Sequence, residues 1–183
     1  MNAPAPRPRY TFTMSRFAIR EARLADAEAI VRAHITSWRD SYQGILPEAV
    51  LDRINLDQRA SWRRRVLTDR DLLGVVAHDL THGDIVGLCD AGPSRRGPAG
   101  AGEIYALYLV HHAKRHGLGT EMFDYARSWL AARGMTSLVI WVLHDNHHAR
   151  RFYEAMGGRA TNQLPSSISG FPITELAYRW GAR

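Results

Sequence analysis

Glu103-Ile-Tyr-Ala-Leu-Tyr-Leu-Val110, followed after three residues by Lys114-Arg115-His116-Gly117-Leu118-Gly119-Thr120, decides how this 183-residue chain is read. Ile104 to Val110 is nearly all apolar or aromatic, the pattern of a central strand buried on both faces. Gly117 to Arg133 then sets Leu118, Met122, Tyr125, Ala126 and Trp129-Leu130 on one side of a helix, with Gly134 at its C′ position. A strand, a glycine loop and a helix start in this order can cradle a phosphate or pyrophosphate. The glycines let the backbone approach an anion, the first-turn N–H groups lack intrahelical partners, and the helix dipole favours negative charge there. The same glycines would also suit a tight strand-to-helix turn with no ligand. There is no G-x-x-x-x-G-K-[ST], which argues against a P-loop nucleotidase. A dinucleotide fold is disfavoured as well, because the loop lies late in the chain and lacks the third glycine.

On either side of this segment the chain alternates strand and helix patterns. Phe17-Ala18-Ile19-Arg20 predicts a half-buried strand, and Asp26 is placed to cap a helix carrying Ala29, Ile30, Ala33 and Trp38 at helical spacing. Tyr42-Gln43-Gly44-Ile45-Leu46-Pro47 ends that helix; a short one from Pro47 and another over Asp57 to Leu67 follow. Leu72 to His78 and Ile85 to Cys89 predict two strands around the Thr81-His82-Gly83-Asp84 turn, and Gly92 to Gly100 a loop. Leu138 to Leu143 is a further buried strand, Asn146 to Met156 a helix closed by Gly157-Gly158, and Thr174 to Trp180 a final strand. The order is that of an α/β domain over residues 16–183. Residues 1–15 contain Pro4, Pro6 and Pro8 and no apolar core of a signal peptide, so a disordered leader is expected.

Composition narrows the classes. There are 24 Lys+Arg against 18 Asp+Glu, a formal charge of +6, yet Lys114 is the only lysine. The arginines are scattered, and the densest run, Arg63-Arg64-Arg65, is expected to be a solvated helix face, so nucleic acid is not the expected partner. No apolar run has the roughly 20 residues of a membrane span. Cys89 is the only cysteine, which excludes an intrachain disulfide and fits a reducing, cytoplasmic setting. His111-His112, His144 and His147-His148 lack the partners and spacing of a zinc motif, so no metal is expected.

Asn146-His-His-Ala-Arg-Arg-Phe-Tyr-Glu-Ala-Met-Gly157-Gly158 matches an N-x-x-A-x-x-F-Y-E-x-x-G-F pattern, except that Gly158 replaces the usual aromatic. Together with a Q/R-x-x-G-x-G/A loop whose first position is Lys114, and the preceding strand, it resembles the acetyl-CoA-binding half of the GNAT N-acetyltransferase superfamily. The opening Phe17-Ala-Ile-Arg-Glu-Ala and the Trp38-x-x-x-Tyr42-x-Gly-Ile-Leu-Pro47 stretch also look like members of that family. The resemblance implies a GNAT fold: a twisted, mostly antiparallel sheet of six to seven strands, splayed at strands 4 and 5, with about four helices. It implies acetyl-CoA as co-substrate and direct transfer to a primary amine in a ternary complex, with a homodimer compatible.

Residue by residue, the resemblance puts the main chain of Leu107, Tyr108 and Leu109 on the pantetheine arm and the backbone of Arg115, His116, Gly117, Leu118, Gly119 and Thr120 on the pyrophosphate. Lys114 keeps the charge of the usual Gln or Arg position without its planar fork. Asn146 would bond the pantetheine or serve as an ordinary N-cap. Tyr153, two helical turns on, would protonate the departing thiolate or simply pack in the core. Glu103, eleven residues before Lys114, matches a strand glutamate that acts as base in several members; its plainer role is an ion pair with an arginine. Trp38, Tyr42, Trp62, Trp141 and the loop Gln163 to Phe171 are candidates for the acceptor site. A non-catalytic, CoA-binding regulatory domain is the alternative from another class.

Overall fold

Eight strands, β1 (Phe12–Met14), β2 (Phe17–Glu21), β3 (Leu73–Asp79), β4 (Asp84–Pro93), β5 (Gly102–Leu109), β6 (Leu138–Leu143), β7 (Arg159–Ile168) and β8 (Phe171–Trp180), form one sheet. They stand in the order β1-β2-β3-β4-β5-β6-β8-β7 in the computed structural model, which describes residues 12–14, 16–53 and 56–181. All neighbours pair antiparallel except β5 and β6, which are parallel. Counted from Phe17 the sheet has the expected seven strands, with the splay at the fourth and fifth, β5 and β6. The eighth, β1, falls inside the expected leader and pairs Phe12 to Met14 with Ile19 to Phe17; residues 1–11 and 15 lie outside the described residues.

Five α-helices surround the sheet: α1 (Ala27–Tyr42), α2 (Glu48–Leu51), α3 (Leu56–Thr68), α4 (Leu118–Ala131) and α5 (His147–Ala155). In α4 the buried Leu118, Met122, Phe123, Ala126 and Leu130 make one stripe, which packs on β3, β4 and β5. In α1 the buried stripe is Ile30, Ala33, His34, Ser37, Trp38 and Tyr42, and it meets β4 and β5. β4 is buried from Ile85 to Gly92 because helices cover both of its faces. Each large apolar side chain so enclosed contributes about 1.5–3 kcal/mol. Cys89 is fully buried there, and burial first, then Asp90, pushes its thiol up.

Two local expectations change. Asp26 does not cap α1; its carboxylate takes two hydrogen bonds from Arg20 at 2.7 and 2.9 Å and one from the Arg23 N–H at 2.7 Å. The stretch from Gln163 to Phe171 is not a loop. Residues through Ile168 belong to β7, and Ser169 and Gly170, with φ of 51° and 83°, turn the chain directly into β8. β7 lacks apolar alternation because it is an exposed edge strand, where Pro165 is tolerated.

Candidate functional site

β5 and β6 pair only at Gly102–Leu138 and Glu103–Val139, and then diverge. On its other edge β5 stays on β4, with a register shift that leaves Tyr105 unmatched between Ile104 and Ala106. The Val110 N–H bonds Val86 O at 2.9 Å, so strand alternation turns the Tyr108 main chain toward β4 and the main-chain groups of Leu107 and Leu109 toward the gap. This corrects the equal treatment of the three residues. Leu107 and Leu109 offer free strand-edge groups, whereas Tyr108 offers a side chain.

Past β5 the chain makes a short 3-10 turn, His111–Ala113, and reaches the glycine loop. Arg115 and Gly117 both have left-handed backbone, with φ of 68° and 80°, and Gly117 stands at the N-cap of α4 without a capping side chain. That curl makes a concavity in which N–H donors converge, and the first-turn N–H groups of Leu118, Gly119 and Thr120 are left open by helix geometry. The backbone demands glycine at 117. At 119 packing does not: a Cβ there would meet Phe152 at 3.5 Å and Leu109 at 3.7 Å, ordinary contact distances. Lys114, Arg115 and Arg151 crowd His148, whose ring is held below its usual range first by partial burial and then by these three cations. Open N–H donors beside a cluster of positive charge are suited to an anion. The His116 ring packs on Phe17, 5.3 Å between rings. No group of three or more His, Cys, Asp or Glu side chains among the described residues is arranged to hold a metal.

Asn146 caps α5: its Oδ1 accepts the Ala149 N–H at 3.1 Å, and the side chain is nearly buried. Capping occupies the oxygen only, so the amide N–H₂ remains a donor, and it lies within hydrogen-bonding reach of the Tyr42 hydroxyl. That hydroxyl meets the Tyr108 hydroxyl at 3.1 Å. Tyr153 completes the group. It is buried, its hydroxyl has no hydrogen-bond partner among the described residues, and burial first, then Tyr42 and Cys89, holds its phenol well above the usual range. A protonated O–H without a partner can donate a hydrogen bond to a group placed beside it. Gly158, the departure from the motif, has a packing reason. A Cβ there would sit 2.5 Å from the Trp180 ring and 2.8 Å from Tyr153 O. Trp180, at the end of β8, takes the aromatic's place: its ring lies 6.2 Å from that of Tyr153 and its Nε1 donates to Met156 O at 2.9 Å.

The opposite side of the gap is lined by α1, α3 and the β4–β5 loop. Trp38 and Tyr42 stack at 5.0 Å and join Leu46, Val50, Leu51 and Leu143 in a second apolar cluster, against which Tyr108, Phe171 and Ile173 pack. Trp62 instead meets Tyr105, 6.0 Å away edge-on, and so stands apart from that group. Glu103 is 2% exposed and accepts from Ser94 Oγ at 3.2 Å and Arg95 N at 2.9 Å on Oε2, and from Arg95 Nη2 at 3.3 Å on Oε1. Arg96 reaches across the gap, binding Glu175 of β8 at 2.6 Å and covering the Trp141 ring at 4.4 Å. The Trp141 Nε1 is buried with no acceptor.

Three residues on this side escaped the sequence pattern. Arg63, expected on a solvated face, is 1% exposed and makes a two-pronged ion pair with Asp90 at 2.6 and 2.8 Å. His34 is buried and held at about 3, by burial first and then by Arg59 and Arg63, so its ring is neutral. It stacks on Tyr108 at 4.9 Å and meets Arg59 Nη1 at 3.0 Å from Nε2. A signal existed: Arg59, Arg63 and Val66 fall on one helix face, and Asp90 is a lone acid in an apolar strand that must find a cation.

Comparison with known proteins agrees with this architecture. The acetyltransferase (GNAT) family model matches residues 31–158, and the chain belongs to that family. An uncharacterized N-acetyltransferase of Bacillus subtilis, YuaI, is 29% identical over 164 residues, spanning 88% of this chain and 91% of its own. Among solved structures, the PaiA N-acetyltransferase of Thermoplasma acidophilum, crystallised with coenzyme A, superposes with a TM-score of 0.71 at 18% identity, covering 91% of this chain and all of its own (100%). A putative acetyltransferase of Salmonella typhimurium, yncA, with its cofactor acetyl-CoA, gives 0.69 at 20% identity over 91% of this chain and 94% of its own.

Proposed function

We propose that this GNAT protein moves an acetyl group from acetyl-CoA directly to a primary amine, with both bound together in the gap between β5 and β6. The observation that carries it is Tyr153: a buried, protonated phenol with no partner of its own, on the helix that Asn146 caps, grouped with Tyr42 and Tyr108 beside the open edge of β5.

The residues present fit the co-substrate. The curled backbone from Arg115 to Thr120 and the cations of Lys114 and Arg115 suit a pyrophosphate. The main-chain groups of Leu107 and Leu109, with the Asn146 amide, suit the peptide-like pantetheine arm. Acetyl-CoA supplies an activated acetyl group, as a thioester, and a thiolate leaving group. Tyr153 gives its phenolic proton to the departing sulfur. The attacking amine must first lose a proton, and Glu103 receives it through water at Oε1, which accepts only the Arg95 Nη2 hydrogen bond at 3.3 Å and keeps a lone pair free. Cys89 takes no part: it is buried, its thiol is pushed up, and direct transfer needs no nucleophile on the protein. A lone cysteine on a chain whose described helices include none long and apolar enough to cross a membrane fits a cytoplasmic enzyme.

The test is a panel of amines monitored for free thiol, with isothermal titration of acetyl-CoA alongside. Tyr153→Phe is expected to lower kcat about 10²- to 10⁴-fold with acetyl-CoA affinity unchanged. No acetyl-CoA binding, or full turnover by Tyr153→Phe, sinks the proposal.

A further inference from the structure

The acceptor side of the gap has an unbalanced charge. Among the described residues, its three carboxylates are each matched to one arginine: Asp90 to Arg63 at 2.6 Å, Glu103 to Arg95 at 3.3 Å and Glu175 to Arg96 at 2.6 Å. Arg59 is a fourth arginine, and among the described residues it pairs with no carboxylate. Its partners are the Nε2 of His34 at 3.0 Å and the ring of Trp38, 5.3 Å from its Cζ. His34 cannot offset the charge, because its ring is neutral and an arginine can only donate to it. Arg59 is itself partly buried, and the groups that favour its charged form are the hydroxyls of Tyr108 and Tyr42 rather than any acid. Burying a cation without a counter-charge is costly unless something supplies one.

From this we infer that Arg59 anchors a carboxylate on the acceptor, and that the substrate is a small amino acid-like amine rather than a polyamine or another purely cationic compound. The inference rests on the acetyltransferase reading and names the substrate class for that same site. A guanidinium has five N–H donors, and a carboxylate takes two of them in a planar fork. The His34 contact fixes one edge and leaves the rest available. An anion seated on Arg59 brings the remainder of a small molecule beneath Tyr42 and Tyr108, hence beside Tyr153. Trp38, Phe171 and Ile173 surround that position with apolar surface, suited to an apolar side chain. The unsatisfied Nε1 donor of Trp141 adds to the same balance: among the described residues, this side of the gap has donors to spare and no unpaired carboxylate. A polyamine would meet an excess positive charge with Asp90, Glu103 and Glu175 already committed.

The experiment titrates the CoA-loaded protein with paired acetylated products that differ only in the carboxylate, such as N-acetylphenylalanine and N-acetylphenethylamine. N-acetylspermidine is included as the polyamine arm. The carboxylate member is expected to bind about ten- to a hundredfold more tightly, the range of one charge-assisted hydrogen bond. Arg59→Met should erase most of that difference and Arg59→Lys only part of it, because lysine keeps the charge without the fork. Equal or undetectable binding of the carboxylate member, a difference that survives in Arg59→Met, or tighter binding of N-acetylspermidine overturns the inference. The wild-type pair decides the matter even if the variants fail to fold. Absence of acetyl-CoA binding overturns the acetyltransferase reading instead. The pairs are then read on the free protein, where equal or undetectable binding of the carboxylate member still counts against Arg59.

Discussion

The two sides of the β5–β6 gap are built on different principles. The cofactor side works through main chain: a strand edge opened by divergence, a loop curled at Arg115 and Gly117, and a helix start. The acceptor side works through side chains from separate elements, held in register by arginine–carboxylate pairs. A main-chain site needs only a few glycines and the correct order of elements, and tolerates almost any side chain. A side-chain site depends on which residues meet in space. On the proposed function, the general activity is carried by the first and the choice of acceptor by the second.

The sharpest way to break this contrast is to attack the pair that holds the acceptor side together. Arg63 and Asp90 are 1% and 0% exposed. Removing one partner, as in Arg63→Met or Asp90→Leu, strands the other charge in the core. Each single change is expected to cost about 3–5 kcal/mol in urea unfolding, whereas the double variant Arg63→Met/Asp90→Leu recovers most of the loss. Single variants within 1 kcal/mol of wild type, itself roughly the scale of an exposed pair, would show that water reaches the pair.

A smaller effect is expected at the loop. Gly117→Ala forces a Cβ into left-handed backbone at φ 80°, at about 1–2 kcal/mol. Its signature is a raised KM for acetyl-CoA, with the preference between paired carboxylate and amine ligands unaltered. A changed preference would mean that the two sides are not separable.

The smallest effect is spectroscopic and compares two histidines. His148, held down by burial and then by Lys114, Arg151 and Arg115, should titrate below its ordinary value in the free protein. It should move upward when acetyl-CoA brings its negative charges beside those cations. His34, on the acceptor side, should stay neutral until about pH 3. Its folded value lies below that of the unfolded chain, so stability should fall as pH drops below the unfolded value near 6.5, where the unfolded state takes up a proton that the folded state does not. A His148 resonance unmoved by acetyl-CoA would place the anion elsewhere.

The same division explains what could be read from the chain. The apolar strand, the glycine loop and the helix pattern around Tyr153 are local features, so the splayed sheet and the cofactor side follow from their order. β7 was not legible, because an edge strand without a buried face shows no apolar alternation. The acceptor side was legible only in fragments. Trp38 and Tyr42 come together with Tyr108 as their helical spacing allows, but Trp62 turns to Tyr105. Arg63 sits among three consecutive arginines, and only its position on the inner face of α3 separates it from its neighbours. Arg95 and Arg96 lie in a glycine- and proline-rich loop, where nothing in the spacing predicts that one turns to Glu103 and the other to Glu175. The pairing of Gly158 with Trp180 is likewise invisible without the fold, since 22 residues separate them.

The divergence of β5 and β6 has a mechanical consequence. What is drawn as one sheet is two leaves, β1 to β5 and β6 to β8, hinged on two residue pairs at one end. Above the hinge the leaves meet through side chains only: Phe123 of α4 against Phe152 of α5 and Trp180 of β8, Arg96 on Glu175 and Trp141, and Leu143 against Trp38 and Tyr42. Pulled apart, the molecule should yield first along this seam. A molecule bonded to β5 on one side and to the start of α5 on the other would act as a bolt across it, stiffening the two leaves against each other where no main-chain pairing holds them.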